Sequence, residues 1–248
     1  MGARRRPSGI PTPRERVGSV VPTRLALLLA TAGALASAFA SAQTVSTPAP
    51  GGAAGALSPE ASGAFARAAA KYSDGSAHAC PFVQIYTPAG FTTAKRESGT
   101  LWIQAPQRLR FDYEAPEKKT FTYDAGEGRL FTPEDKQLTI QKLTPEDRAR
   151  LPIVFLSDPV ELAREYAISS DAGDAGVTRL LLKPRSPRPE LAWLRVSVAR
   201  DGSAPELSYE DASGNRTEFR FDGWRKEKPR PAGDYRVTGP PGTRILQN

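Results

Sequence analysis

Residues 105–116 read APQRLRFDYEAP. Leu109, Phe111 and Tyr113 stand at alternate positions, with Arg110 and Asp112 between them and Arg108 before them. Alternation at period two sends successive side chains to opposite faces of an extended chain, so this run predicts a strand with one oily and one wet face. Pro116 has no amide hydrogen to give to a ladder and punctuates the run. An oily strand face must be covered by something, and the rest of the sequence has to supply the cover.

The same pattern recurs on both sides. Strand-like runs are predicted at 80–86, 99–104, 120–123, 129–132 and 137–141, and again at 166–170, 177–183, 191–199, 206–210 and 217–221. A last one, 235–238, precedes Gly239-Pro240-Pro241-Gly242. The gaps are of hairpin length, which makes neighbours antiparallel. Helix starts are few. Ser58-Pro59-Glu60 offers a cap, a proline and an acid, and predicts a helix to about Tyr72. Thr144-Pro145-Glu146 and Asp158-Pro159-Val160-Glu161 predict two short helices around the apolar residues 153–156. Helices this few and clustered exclude repeated βαβ units. The expectation is a mainly β (α+β) fold: one strongly curved antiparallel sheet of about 11 strands, its concave side covered by helices.

The apolar residues sort by face. Leu101 and Ile103 share one face, as do Phe121 and Tyr123, Leu138 and Ile140, and Leu180 and Leu182. Against them stand Arg108, Arg110, Thr122, Gln137, Gln141 and Lys183. Phe155 and Leu156, in the central segment, are expected to meet the oily face from the helical side. A sheet this broad with three short helices is expected to leave room for a ligand on its concave side. Trp102 alternates against Leu101 and Ile103 and is expected on the convex side.

The chain has 248 residues, 39% hydrophobic and 25% charged, ordinary values for a globular protein. Its formal charge of +7 is concentrated at one end. Residues 1–42 hold six arginines against one glutamate, which leaves 28 basic and 26 acidic residues in the remainder. That near-balance argues against nucleic-acid binding. Arg24 precedes LALLLATAGALASAFA, and Ala40-Ser41-Ala42 is a small-x-small site. The stretch reads as a secretory signal cleaved near Ala42; an uncleaved anchor is the alternative. Residues 43–57, QTVSTPAPGGAAGAL, read as a flexible Pro/Gly/Ala linker, which leaves 58–248 as one domain. Cys80 is the only cysteine and does not follow the signal, so neither an internal disulfide nor a lipid anchor on this chain is expected. An exported protein is predicted, in the periplasm if the cell has two membranes.

Taken in order, SGTLWIQAPQRLRFDYEAP, DAGEGRLFTPEDKQLTI, LPIVFLSDPVELAREY, LSYEDASGNRTEFRF and YRVTGPPGTRIL resemble the outer-membrane lipoprotein carrier protein family, LolA. The matching positions include Gly99, Leu101, Pro106, Phe111, Tyr113, Pro116, Gln137, Leu207, Asp211, Gly214 and Thr217. The resemblance implies a half-open β-barrel with a helical lid over an apolar cavity, and no cofactor. It implies a carrier of acylated lipoproteins or a related lipid, loaded by an inner-membrane ABC-type extractor and unloaded at the outer membrane, with or without a receptor there. A monomer is expected. It also implies that the oily-face residues contact acyl chains. Each buried methylene is worth ~0.8 kcal/mol, so a ~15-carbon chain gains on the order of 12 kcal/mol from such a cavity. The family's Arg-Pro arginine, linked to holding the lid, is matched here by Ala105. Arg108 and Arg110 are nearby but are expected to point outward.

Two other classes weigh less. A regulatory sensor of the same fold, binding lipid or lipoprotein, is the runner-up. An envelope hydrolase is the third: His78 and Cys80 lie two apart and could share a strand face, but no orienting acid or amide is evident. Glu161 and Glu165 read as a solvated helix face, and no Walker-type phosphate loop occurs. The basic loop 183–189, KPRSPRP, reads as exposed.

Overall fold

The computed structural model describes residues 58–105, 107–144, 155–156, 164–171 and 176–247. The predicted leader, the linker and nearly all of the two predicted central helices lie outside the described residues. Helix α1 spans Pro59–Tyr72. The Ser58 hydroxyl accepts from the Ala61 amide at 3.1 Å, Pro59 opens the helix and Glu60 sits in its first turn, as the local sequence requires. Its buried residues are Ala61, Ala64, Ala68 and Tyr72. Three alanines in a line let the helix lie close to the sheet, and Tyr72 ends the stripe with its hydroxyl accepting from the Ala204 amide at 3.1 Å. Gly202, in a nearby turn, has φ +82° and stands so near that a Cβ there would meet the Arg67 carbonyl at 2.4 Å.

Six strands precede the central segment: β1 Ala77–Thr87, β2 Lys95–Gln104, β3 Arg108–Ala115, β4 Lys119–Asp124, β5 Glu127–Thr132 and β6 Gln137–Lys142. Seven follow it: β7 Tyr166–Asp171, β8 Val177–Pro184, β9 Trp193–Ala199, β10 Glu206–Glu210, β11 Arg216–Phe221, β12 Arg225–Glu227 and β13 Arg244–Gln247. They form one sheet in the order β13-β6-β5-β4-β3-β2-β1-β11-β10-β9-β8-β7, with β12 paired to the first residues of β1. The strands number thirteen rather than about eleven, and β13 and β7 stand at opposite edges of an unclosed sheet. All pairs are antiparallel except β13 with β6. Buried side chains from β2 to β4 and from β8 to β10 belong to a single apolar cluster, which a flat sheet of this width could not bring together.

One expectation for the end of the chain fails. Residues 235–238 are not a strand: Tyr235 closes a short 3-10 turn, Ala232–Tyr235. The terminal strand is Arg244–Gln247, which returns to β6. Between β12 and β13 the chain crosses the outer face of the sheet as a strap, and its backbone groups are satisfied by outer-face side chains instead of a ladder. Arg110 donates to the Asp234 carbonyl at 2.7 Å, and the Val237 amide donates to the Thr122 hydroxyl at 3.3 Å.

Gly99 explains one position of the motif. The β2–β3 register slips between Ser98 and Gly99, and a Cβ at Gly99 would lie 1.9 Å from the Asp112 carbonyl. Only glycine lets β3 approach this closely at the bulge.

Candidate functional site: an enclosed apolar face

Register fixes which side chains share the inner face. Leu101 faces Phe111, which faces Phe121; Ile103 faces Leu109, which faces Tyr123. On the other half Leu180 faces Val196, and Leu182 faces Leu194. Phe219 stands between the halves, opposite Leu207 and Gln84. Directly opposed residues of a ladder point to one side, so these form one continuous surface. Phe111 sits at its centre, within ring contact of Phe82 (5.1 Å), Tyr113 (6.0 Å), Phe121 (6.4 Å) and Phe219 (5.8 Å). Phe155 and Leu156 join the same cluster, and Phe155 meets Phe65 of α1 edge to face at 6.0 Å.

The face is covered in this conformation. Leu101, Ile103, Leu109, Phe111, Tyr123, Leu180 and Leu182 are each fully withdrawn from water, at 0% exposure. These inner-face side chains are closed over by their neighbours.

Leu138 and Ile140 do not belong to it. Leu138 faces Phe131 and Ile140 faces Arg129, while Thr139 faces Leu130, which faces Phe121. Both residues therefore lie on the outer face, with Arg129 and Thr122, and Thr139 takes the inner position. Alternation within β6 gave two faces without saying which was inward; the turn 133–136 sets that parity, and it is opposite to the expected one.

One end of the inner face is polar. Lys119 bonds both oxygens of Glu97, at 2.9 and 3.0 Å, and stands 4.4 Å above the Tyr113 ring. The Tyr113 hydroxyl donates to Gln84 at 2.7 Å. Glu97 and Lys119 are both buried. Burial, reinforced by the Glu97 carboxylate, pushes the Tyr113 phenol well above its ordinary pKa. The sequence reading missed this pair, because charges at strand starts look solvated until register places them inward.

Ala105 lies in the β2–β3 turn at the other end of these strands. The two nearby arginines are engaged on the outer face: Arg108 with Asp124 at 3.1 Å, Arg110 with Asp112 at 2.7 Å and with the strap. Neither is placed to stand in for an inner-face cation at position 105. Trp102 is on the outer face as expected, beneath Arg230 at 4.1 Å.

His78 and Cys80 do share the inner face, opposite Ile103 and Leu101. They do not resemble a nucleophile and its base. Burial pushes the thiol pKa up, away from the thiolate. Burial also lowers the His78 pKa, against the pull of Asp74, and its Nε2 is 3.0 Å from the Ser76 hydroxyl. Asp74 itself is held well below the usual carboxylate range by Lys226 and by Ser76. Among the described residues no group of three or more His, Cys, Asp or Glu is placed to hold a metal ion.

The site is thus one continuous, covered apolar face on a wide, unclosed antiparallel sheet. The family model described as "Outer membrane lipoprotein carrier protein LolA" matches residues 76–238, and the chain belongs to that family. It is 27% identical over 167 residues to an outer-membrane lipoprotein carrier protein of Xanthomonas campestris pv. campestris, covering 66% of this chain and 79% of that one. The same protein of Pseudomonas entomophila is 27% identical over 168 residues, covering 67% and 79%. Among solved structures it is similar to a LolA-superfamily protein from Nitrosomonas europaea, with TM-score 0.41, 10% identity, and 71% and 96% of the two chains covered. It is also similar to the Pseudomonas aeruginosa MucA/MucB complex structure, with TM-score 0.41, 15% identity, and 72% and 61% covered.

Proposed function

We propose that this chain is a periplasmic, non-enzymatic carrier that shields the acyl chains of lipoproteins, or of a related lipid, and moves them from the inner to the outer membrane. One observation carries the reading. An unbroken apolar surface runs from β4 through β1 to β8, and its largest side chains are kept wholly from water. Surface of that extent exposed to solvent would be an aggregation liability, and enclosed it is a replacement solvent for hydrocarbon. Family membership supports lipoprotein as the cargo, and no helix of the described residues is long and apolar enough to cross a membrane.

Loading requires the cover to give way. The acyl chains then contact Leu101, Ile103, Leu109, Phe111, Tyr113 and Phe121 on one half. Tyr123 completes that wall, and Leu180 and Leu182 form the other. Phe155 and Leu156 belong to the cover, and their contacts with Phe65 and the sheet are exchanged for contacts with cargo. Closure here relies on apolar contact, since position 105 carries a methyl group. An inner-membrane ABC-type extractor supplies the energy, because the sequence carries no nucleotide-binding loop of its own. An outer-membrane receptor is an optional recipient.

The test is to purify the protein from its native periplasm and measure its intact mass and bound lipids by mass spectrometry. Stoichiometric acylated lipoprotein is the expected result. A protein recovered free of any acyl-bearing molecule, also after co-expression with a lipoprotein and its extractor, overturns the reading.

A further inference from the structure

The buried Glu97–Lys119 pair has no part in the carrier reading as stated, yet it stands on the same face as the apolar side chains. Glu97 is opposite Gln84 and Lys119 is opposite Tyr113; Tyr113 is opposite Gly99, which is opposite Phe82. One step along the strands from Phe111 and Leu101, the surface therefore changes from hydrocarbon to an ion pair and a phenol. The change falls at the start of β2 and of β4. The β2–β3 turn, with Ala105, closes the opposite end of β2 and β3.

The pair is built to stay closed. Both Glu97 oxygens are bonded by Lys119, and Lys95 approaches the same carboxylate at 3.3 Å. Lys119 also covers the Tyr113 ring, and the Tyr113 hydroxyl is taken by Gln84. Groups so engaged do not invite a polar ligand, because any new partner must first displace an existing one. Stability does not account for the pair either. Replacing a buried ion pair by apolar residues of similar volume is commonly neutral or stabilising. Its consequence for a hydrocarbon chain is direct: methylenes gain nothing by advancing into a wall of satisfied charges, and separating those charges in a dry site is costly.

We propose that Glu97 and Lys119, with Tyr113 and Gln84, form a polar end-wall that sets the maximum acyl-chain length the apolar face accepts. The inference rests on the carrier reading and adds a specificity determinant to it. Chains that end short of the wall bind more tightly with each added methylene, by about fourfold, the factor that burial of one methylene confers. Chains that reach it stop gaining.

The experiment titrates the full protein with synthetic diacylated lipopeptides of increasing acyl length. The native protein is expected to show affinity rising to a cut-off and then flat or falling. Glu97→Leu combined with Lys119→Met keeps the volume and removes the charges; its cut-off is expected to move to longer chains, with the fourfold gain continuing past the native limit. The exchanged pair, Glu97→Lys with Lys119→Glu, is expected to keep the native cut-off. An unchanged cut-off in the folded apolar variant overturns the end-wall. A native protein that binds none of the lipopeptides overturns the carrier reading and this inference with it. A second measurement needs no variant. A photoreactive group at the methyl end of a chain at the cut-off length is expected to label Phe82, Tyr113 or Phe219. Labelling instead confined to Ile103, Leu109 and Tyr123 overturns the proposal.

Discussion

On the inner face Phe111 meets four rings through contacts that have no required direction beyond shape. On the outer face Asp124 meets Arg108 at 3.1 Å and Arg236 at 2.6 Å, Arg129 donates to the Val237 carbonyl at 3.3 Å, and Gln104 accepts from the Arg230 amide at 2.8 Å. Both faces of one sheet are thus covered, but by different interactions. Apolar contacts can be exchanged for an acyl chain at little loss, since one hydrocarbon surface replaces another. Hydrogen bonds and ion pairs cannot, because an opened strap leaves polar groups without their partners. Under the proposed function this difference favours the inner face for the cover that gives way to cargo, with the outer strap bracing β3 and β4 from behind.

The comparison breaks most sharply at its apolar centre. Phe111→Ala removes a fully buried ring from the middle of the cluster and is expected to cost about 3–5 kcal/mol, read as a lower urea midpoint. Saturating acylated peptide is expected to restore part of that loss, because ligand binding to the folded state stabilises it by mass action. A ring buried in an ordinary closed core would give the same loss with no rescue.

The brace responds differently. Asp124→Asn keeps the shape and removes the charge that Arg108 and Arg236 share, and a loss of about 1–3 kcal/mol is expected. Limited proteolysis is expected to find new cleavage between Lys228 and Thr238, while lipopeptide affinity changes by less than about threefold. A large loss of affinity with no new cleavage would show that the strap bears on the inner face after all.

How far the sequence reached follows the same division. Strand positions and α1 were legible because alternation, caps and turns are local signals: β10 falls where the pattern placed it, and α1 ends at the predicted Tyr72. The inner-face positions on β2, β3, β4 and β8 were legible because on each strand one side is the oilier, although Trp102 and Leu181 stand on the other. On β6 that rule failed. Leu138 and Ile140 are apolar on the outer face and Thr139 stands inward, so the richer side of the strand was the wrong side. The strap was illegible for another reason. Arg236 and Asp124 are 112 residues apart, and nothing near Arg236 names its partner; an extended, Pro-bounded run therefore read as a strand. The Glu97–Lys119 pair shares that fault, since both residues look like exposed charges at strand starts until register joins them.

The smallest effect tests whether α1 belongs to the movable side. Lys71 of α1 bonds Asp201 in the β9–β10 turn at 2.9 Å, and Asp201 also accepts from the Ser203 hydroxyl at 2.6 Å. The Ser203 bond, with Lys71 contributing, lowers the Asp201 pKa from 3.8 to about 2. A carboxylate whose folded pKa is depressed contributes stability that is fully present above its unfolded pKa and lost as pH falls through the folded value. The contribution is therefore intact at neutral pH and disappears between about 4 and 2. Asp201 is largely solvent-exposed, so screening holds it below about 1 kcal/mol. The Tm difference between native protein and Asp201→Asn is expected to be small and constant above that window and to close within it. If the helix is anchored chiefly by its alanine stripe and by Tyr72, lipopeptide affinity stays the same in the variant. A measurable gain in loading rate would instead place this surface pair among the contacts that hold the cover shut.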